Sequence, residues 1–172
     1  MFKDISHFND TTDYLPIITA ILIVEIITII LSFTNITQSG FLKVWYKEYK
    51  LSAVLADVSL IFLGIVIARA LYPFIFDTFS ILYFILLVVV IQVIHDILFY
   101  IMIRQIPKGV NKIIDILKDY ADEISYWAIL GDSAMMISSV LFAGLLANFD
   151  MNTNTIILAF LVYILQFILY TY

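Results

Sequence analysis

The sequence predicts an all-α integral membrane bundle of about five transmembrane helices, with one interfacial amphipathic helix and two parallel helical-hairpin repeats, forming a single transmembrane domain over 1–172. Three observations predict it. The chain is 63% hydrophobic and 13% charged, whereas a soluble domain is about 45–50% apolar and about 25% charged. Its apolar runs reach about 20 residues, the length that crosses about 30 Å of hydrocarbon. And one run repeats: in LSAVLADVSLIFLGIVI and AILGDSAMMISSVLFA, Ala53, Leu55 and Asp57 match Ala128, Leu130 and Asp132. Gly64 and Ala68 match Ser139 and Ala143 in size, and Glu48 and Glu123 precede the two runs.

The first span is expected over 14–33. Thr11, Thr12 and Asp13 ahead of Tyr14-Leu15-Pro16 supply a capping side chain and an early proline. With no basic n-region ahead of it, this helix is expected to act as its own insertion signal. It carries one charge, Glu25. Residues 34–50 read as a loop with a short amphipathic piece, FLKVWYKEYK, whose Trp45, Tyr46 and Tyr49 beside Lys43, Lys47 and Lys50 suit the headgroup layer. The second span is expected over 51–76 and the third over 79–103, with Pro73 and Asp77 marking the turn between them. The segment 110–125 sets Ile113, Ile114, Ile116, Leu117, Tyr120 and Ile124 on one face, with Lys112, Asp115, Lys118, Asp119 and Asp122 on the other. That pattern predicts an interfacial helix with a solvated polar face. The fourth and fifth spans are expected over 127–146 and 155–170, joined by the polar turn NFDMNTN.

Spans two and three form one hairpin, and four and five another. Each starts on the same side of the bilayer, so the repeats are parallel rather than inverted. Lys43, Lys47, Lys50, Arg104, Lys108, Lys112 and Lys118 flank that side, against Lys3 and Arg69 on the other. The positive-inside rule then puts the C-terminus in the cytoplasm and the N-terminus outside. Of two glycosylation sequons, Asn9-Asp10-Thr11 falls outside and Asn35-Ile36-Thr37 inside. A net charge of −5 offers no basic surface, so nucleic acid is excluded as a partner and the lipid bilayer is the expected one. The absence of cysteine excludes thiolate chemistry.

Counted from the lysine-rich ends of their helices, Asp57, Asp132, His95 and Asp96 lie at similar depth, roughly 8–12 Å in at 1.5 Å per residue. Gln92, Asp96 and Tyr100 share a face of the third span. Lipid contact would cost each ionisable group on the order of 3 kcal/mol, so they are expected to face the bundle interior. The pairs Gly64/Ala68 and Ser139/Ala143 allow close helix approach, which predicts that spans two and four pack face to face with Asp57 and Asp132 near each other. Two close carboxylates in a low dielectric cannot both stay ionised, so a proton, His95 or a cation must neutralise the pair. Asp57, Asp132, His95 and Asp96 are therefore the expected ion or proton path, with Gln92, Tyr100 and Glu25 supporting. The plainer alternative is a pair of protonated acids hydrogen-bonded across a helix seam. Glu25 is expected at a different depth as a structural partner, and Arg69 is expected to snorkel to the outer interface.

The segments KVWYKEYKLSAVLADVSLIFLGIVIAR and IQVIHDILFYIMIRQIPKGVNKIIDILKDYADEISYWAILGDSAMMISSVL, with the isoleucine-rich composition, resemble uncharacterised multi-pass membrane proteins encoded by large DNA viruses of algae and amoebae. The resemblance covers about 42–172. It implies a viral or host membrane and carries over no residue role. Three functions follow as expectations. The first is a proton- or cation-translocating channel or transporter using the Asp/His layer. The second is a structural or assembly protein of a viral or host membrane. The third, placed last because HExxH, Walker A and GxGxxG motifs are all absent, is an intramembrane metal-dependent enzyme with Asp and His ligands. No cofactor is implied, and an enzymatic role is not favoured. So few helices enclose little volume, so a conducting pathway would call for a homo-oligomer.

Overall fold

A computed structural model of the chain describes residues 1–34, 36, 40–124 and 126–171. Among them there is no strand. Helix α1 runs Tyr14–Phe33. Helix α2, Gly40–Val44, continues as a π-helical turn over Trp45–Tyr49. Then follow α3 (Leu51–Ile75), α4 (Ile81–Gln105), α5 (Lys112–Ile124), α6 (Tyr126–Leu146) and α7 (Met151–Tyr170). Helices α1, α3, α4, α6 and α7 are long and apolar enough to cross a bilayer. Asn35 and Thr37 of the second sequon, and Ser125 at the end of the expected interfacial helix, lie outside the described residues.

The apolar side chains that face outward support a multi-pass membrane protein. Leu55, Leu63, Ile67, Leu71 and Phe74 form an exposed row on α3, as do Leu82, Leu86, Val90, Ile94 and Leu98 on α4. Such rows at helical spacing would be an aggregation hazard in water and are the ordinary surface of a helix in lipid.

The bundle is organised around α1. Its span is 61% buried, against a third or less for any other, and it packs on α3, α6 and α7. Helix α6 has α1 as its most extensive partner and α4 next, while α7 lies mainly on α1. The expected face-to-face packing of α3 on α6 is reduced to a crossing at Gly64, where a Cβ would come within 2.4 Å of Met136 Cε. Helix α1 takes the place on α6 that α3 was expected to hold. Gly64, Ala68, Ser139 and Ala143 are all buried near that crossing.

One end of the bundle is closed by its N-terminal segment. Arg69 does not snorkel: it is fully buried and donates to the backbone carbonyls of His7 and Asp10, the latter at 2.7 Å. Its guanidinium lies 3.6 Å from Asp13 and 4.5 Å from the centre of the Tyr14 ring. Asp13 also takes Lys3 at 2.8 Å, and the Lys3 N–H donates to the Gly144 carbonyl at 2.9 Å. Residues 1–13 offered Arg69 carbonyls and a carboxylate closer than water, so the charge turned inward.

Two element boundaries moved for local reasons. Helix α7 begins at Met151 rather than near 155, because Asp150 caps it, accepting from the Thr153 N–H at 2.9 Å and its hydroxyl at 2.8 Å. Asn154, fully buried, donates to the carbonyls of Leu146, Phe149 and Asp150 and so stitches the turn before it. The segment expected as a loop over 34–50 is helical from Gly40, and Lys50 ends it with φ 46° and ψ −117°. That conformation favours glycine and folds the Trp45–Tyr49 turn back onto α3.

Candidate functional site: an acidic cavity roofed by two amphipathic helices

At the end of the bundle opposite the N-terminal segment, α2, α3, α4, α5 and α6 enclose a cavity of about 730 Å³. Asp57, His95, Asp96, Asp132, Gln92 and Tyr100 all line it. A constant rise of 1.5 Å per residue sets these groups at one depth on three helices, and the helix faces they share turn them toward one another. Among the described residues no Lys or Arg lines the cavity.

Each acid has different partners. One oxygen of Asp57 accepts from the Trp45 indole N–H at 3.0 Å and from the Tyr46 hydroxyl at 3.1 Å. One oxygen of Asp96 accepts from the Gln92 amide at 2.6 Å and faces His95 Nδ1 at 3.3 Å, while its other oxygen is buried without a partner. The His95 ring stacks on Phe99, centroids 5.7 Å apart. Asp132 lines the cavity with no donor hydrogen-bonded to it among the described residues, and feels chiefly the charges of Asp96 and Asp57.

Two assignments change. Trp45 and Tyr46 are not headgroup anchors: both are buried, and both hydrogen-bond Asp57. The Lys50 turn carries them back under the bundle, where the carboxylate supplies an acceptor that lipid lacks. Glu25 does not lie at a different depth. It is fully buried, with neither carboxyl oxygen hydrogen-bonded, and its electrostatic neighbours are Asp57, Tyr46 and Asp132. The Tyr46 hydroxyl sits between Glu25 and Asp57 and gives its hydrogen bond to Asp57.

The roof is α2 and α5. Helix α5 turns Ile113, Ile116, Leu117, Tyr120 and Ala121 onto the cavity. It is held by an Arg104–Asp122 pair, by Lys108 on Asp119 at 2.5 Å, by Lys118 on the Ile106 carbonyl, and by the Tyr49 hydroxyl on the Lys112 carbonyl at 3.0 Å. Lys118 is buried rather than solvated. Burial, then the negative neighbours Glu25 and Asp57, raise the Tyr46 hydroxyl well above its ordinary pKa; burial, then Asp132, Asp57 and Asp96, do the same to Tyr120. Both phenols therefore stay protonated donors facing the acids.

The opposite half of the bundle is solid. Ile17, Ile21, Ile61, Ile65, Tyr72, Phe84, Val88, Met136 and Val140 pack into one cluster on the side of the cavity away from its roof. The arrangement can hold positive charge, or protons, in a chamber closed on that side. Among the described residues no three Asp, Glu or His side chains are grouped as a metal site would group them. No protein-family model matches the chain, and neither the curated proteins nor the solved structures include a match to it.

Proposed function

We propose that this multi-pass membrane protein translocates protons or cations, taking them up in the acidic cavity. One observation carries the reading: Asp57, Asp96 and Asp132, with Glu25 behind them, face a cavity among whose described lining residues there is no Lys or Arg. Buried carboxylates without a counter-charge must hold protons or a cation. His95, side chain 39% exposed and against Asp96, is positioned to pass protons between the cavity and its rim. The packed cluster on the far side favours a transporter that alternates its access over an open pore. Asp57 and Asp132 serve as equivalent positions of two parallel hairpin repeats, and α5 as an interfacial helix above them. The lysine-rich end is cytoplasmic in this reading, and the membrane is viral or that of a host.

The test is proton and cation flux in liposomes, wild type beside Asp57→Asn and Asp132→Asn, with helix content checked for each. Flux in wild type that is lost in folded variants is the expected result. A folded wild type without flux, with or without a pH gradient, sinks it. The solid outer half favours a second reading, a structural or assembly protein in which the polar layer locks helices. In that case the Asp→Asn variants keep the phenotype and bulky substitutions at Gly64 destroy it.

A further inference from the structure

The cavity is much larger than a bare ion needs. A calcium ion takes 6–8 oxygens at about 2.3–2.6 Å and a magnesium ion six at about 2.0–2.1 Å, and no described trio of acidic or His side chains converges that way. A volume of about 730 Å³ lies instead in the roughly 300–1,000 Å³ range of sites for small organic molecules. The walls are mainly apolar and aromatic, with Trp45, Phe99, Tyr100 and Tyr120 among them. Aromatic faces attract cations, quaternary ammonium groups above all.

The acids are not equally free. Asp57 is occupied by Trp45 and Tyr46. Asp132 receives no donor among the described residues, its first charged neighbour is Asp96, and Asp96 keeps one buried oxygen unpartnered. From α1, Glu25 aims at the same cluster, fully buried and with both oxygens unpartnered. Carboxylates without donors, which must take up a proton or a cation, beside an aromatic wall suit a molecule that brings a cationic head and an apolar body.

Resting on the reading of the cavity as a cation site, we propose that its ligand is an organic cation. The ammonium head sits between Asp132 and Asp96, and the apolar or aromatic body lies against Trp45 and the aromatic side chains of α4 and α5. The same chemistry is available from a free amine and from the headgroup of a choline or ethanolamine lipid.

The probe is radiolabelled benzyltrimethylammonium, bound to purified protein in a non-ionic detergent. Saturable binding is expected, resistant to excess potassium or magnesium chloride and not displaced by the uncharged carbon isostere neopentylbenzene. Asp132→Asn should weaken it about tenfold, because a head with no N–H to donate is held there by charge alone, and Asp57→Asn less, because its oxygen is already engaged. Absence of saturable binding to wild type, or equal displacement by potassium, overturns the proposal without relying on any variant's folding. Displacement by phosphatidylcholine but not phosphatidylglycerol supports the chemistry and identifies a lipid headgroup as the occupant; displacement by neither supports a free amine. Asp132-dependent proton flux in a protein that binds no organic cation overturns this inference alone. Binding without any flux overturns the translocation reading alone.

Discussion

Replacing Arg69 by methionine removes the guanidinium that holds residues 1–13 against the bundle while keeping an apolar side chain in its place. The two bonds from its Nη2 to the His7 and Asp10 carbonyls are charge-assisted, each worth about 1.5–3 kcal/mol. The contact with the Tyr14 ring at 4.5 Å adds about 1–2 kcal/mol in a desolvated setting. Methionine recovers part of the packing, so the net loss is about 4 kcal/mol, in the range for breaking a buried charged contact. Lys3 still reaches Asp13 and Gly144, and Asn148 still donates to the Met1 carbonyl at 3.1 Å. The segment should therefore open without the bundle unfolding. The chain has no cysteine, so Ser6→Cys, at a buried position, provides the only thiol. Its maleimide labelling should accelerate about a thousandfold in Arg69→Met, since about 1.4 kcal/mol is a factor of ten, with Arg69→Lys between the two. Equal labelling rates with and without the Arg69→Met substitution would refute the reasoning.

Two further outcomes follow from the geometry. Gly64→Leu should destabilise the bundle by about 1–3 kcal/mol through overpacking against Met136 Cε, and Met136→Ala should recover much of it; thermal unfolding in detergent that shows no coupling between the two sites counts against the crossing described here. Tyr46 and Tyr120 keep their protons in the folded protein at pH values where unfolded tyrosines, with an ordinary pKa of 10.0, have lost theirs. The folded state then binds more protons, so stability should be level below about pH 10 and fall above it by about 1.4 kcal/mol per pH unit per group; an unchanged alkaline slope of the melting temperature in Tyr46→Phe/Tyr120→Phe would exclude these phenols as its source.

The spans were legible because apolar runs of about 20 residues have few other uses, and the depth of Asp57, Asp96 and Asp132 because helical rise is constant. Counting from Phe33 would have put Glu25 at the same level, about eight residues or about 12 Å in; that signal was present, but which helix α1 faces is decided by tertiary packing. Trp45 and Tyr46 were not legible as partners of Asp57. Their placement depends on a left-handed turn at Lys50, and nothing about a lysine announces positive φ. The roof was half legible. The periodicity of 112–124 marks an apolar face, but periodicity does not distinguish a face lying on lipid from one covering a cavity. Arg69 was read as snorkelling because its partners, the His7 and Asp10 carbonyls and Asp13, are brought to it only by the folding of the N-terminal segment.

Helix α1, the most buried span, precedes the other four in the chain and is made before them, and this sets an order of assembly. When it enters the bilayer, the helices that will surround Glu25 have not yet been made. A lone acid there costs about 3 kcal/mol on the insertion scale, and α1 tolerates it because its remaining side chains make it the most apolar of the five spans. It can pack on α3 once that helix is made, but it must wait through the synthesis of α4 until α6, its main partner, arrives. The N-terminal clasp on Gly144 and Asn148 can close only after that. The clasp therefore joins a segment ahead of α1 to one at the far end of α6 late in assembly, and a ribosome stalled before residue 126 should leave α1 as a substrate for membrane quality control.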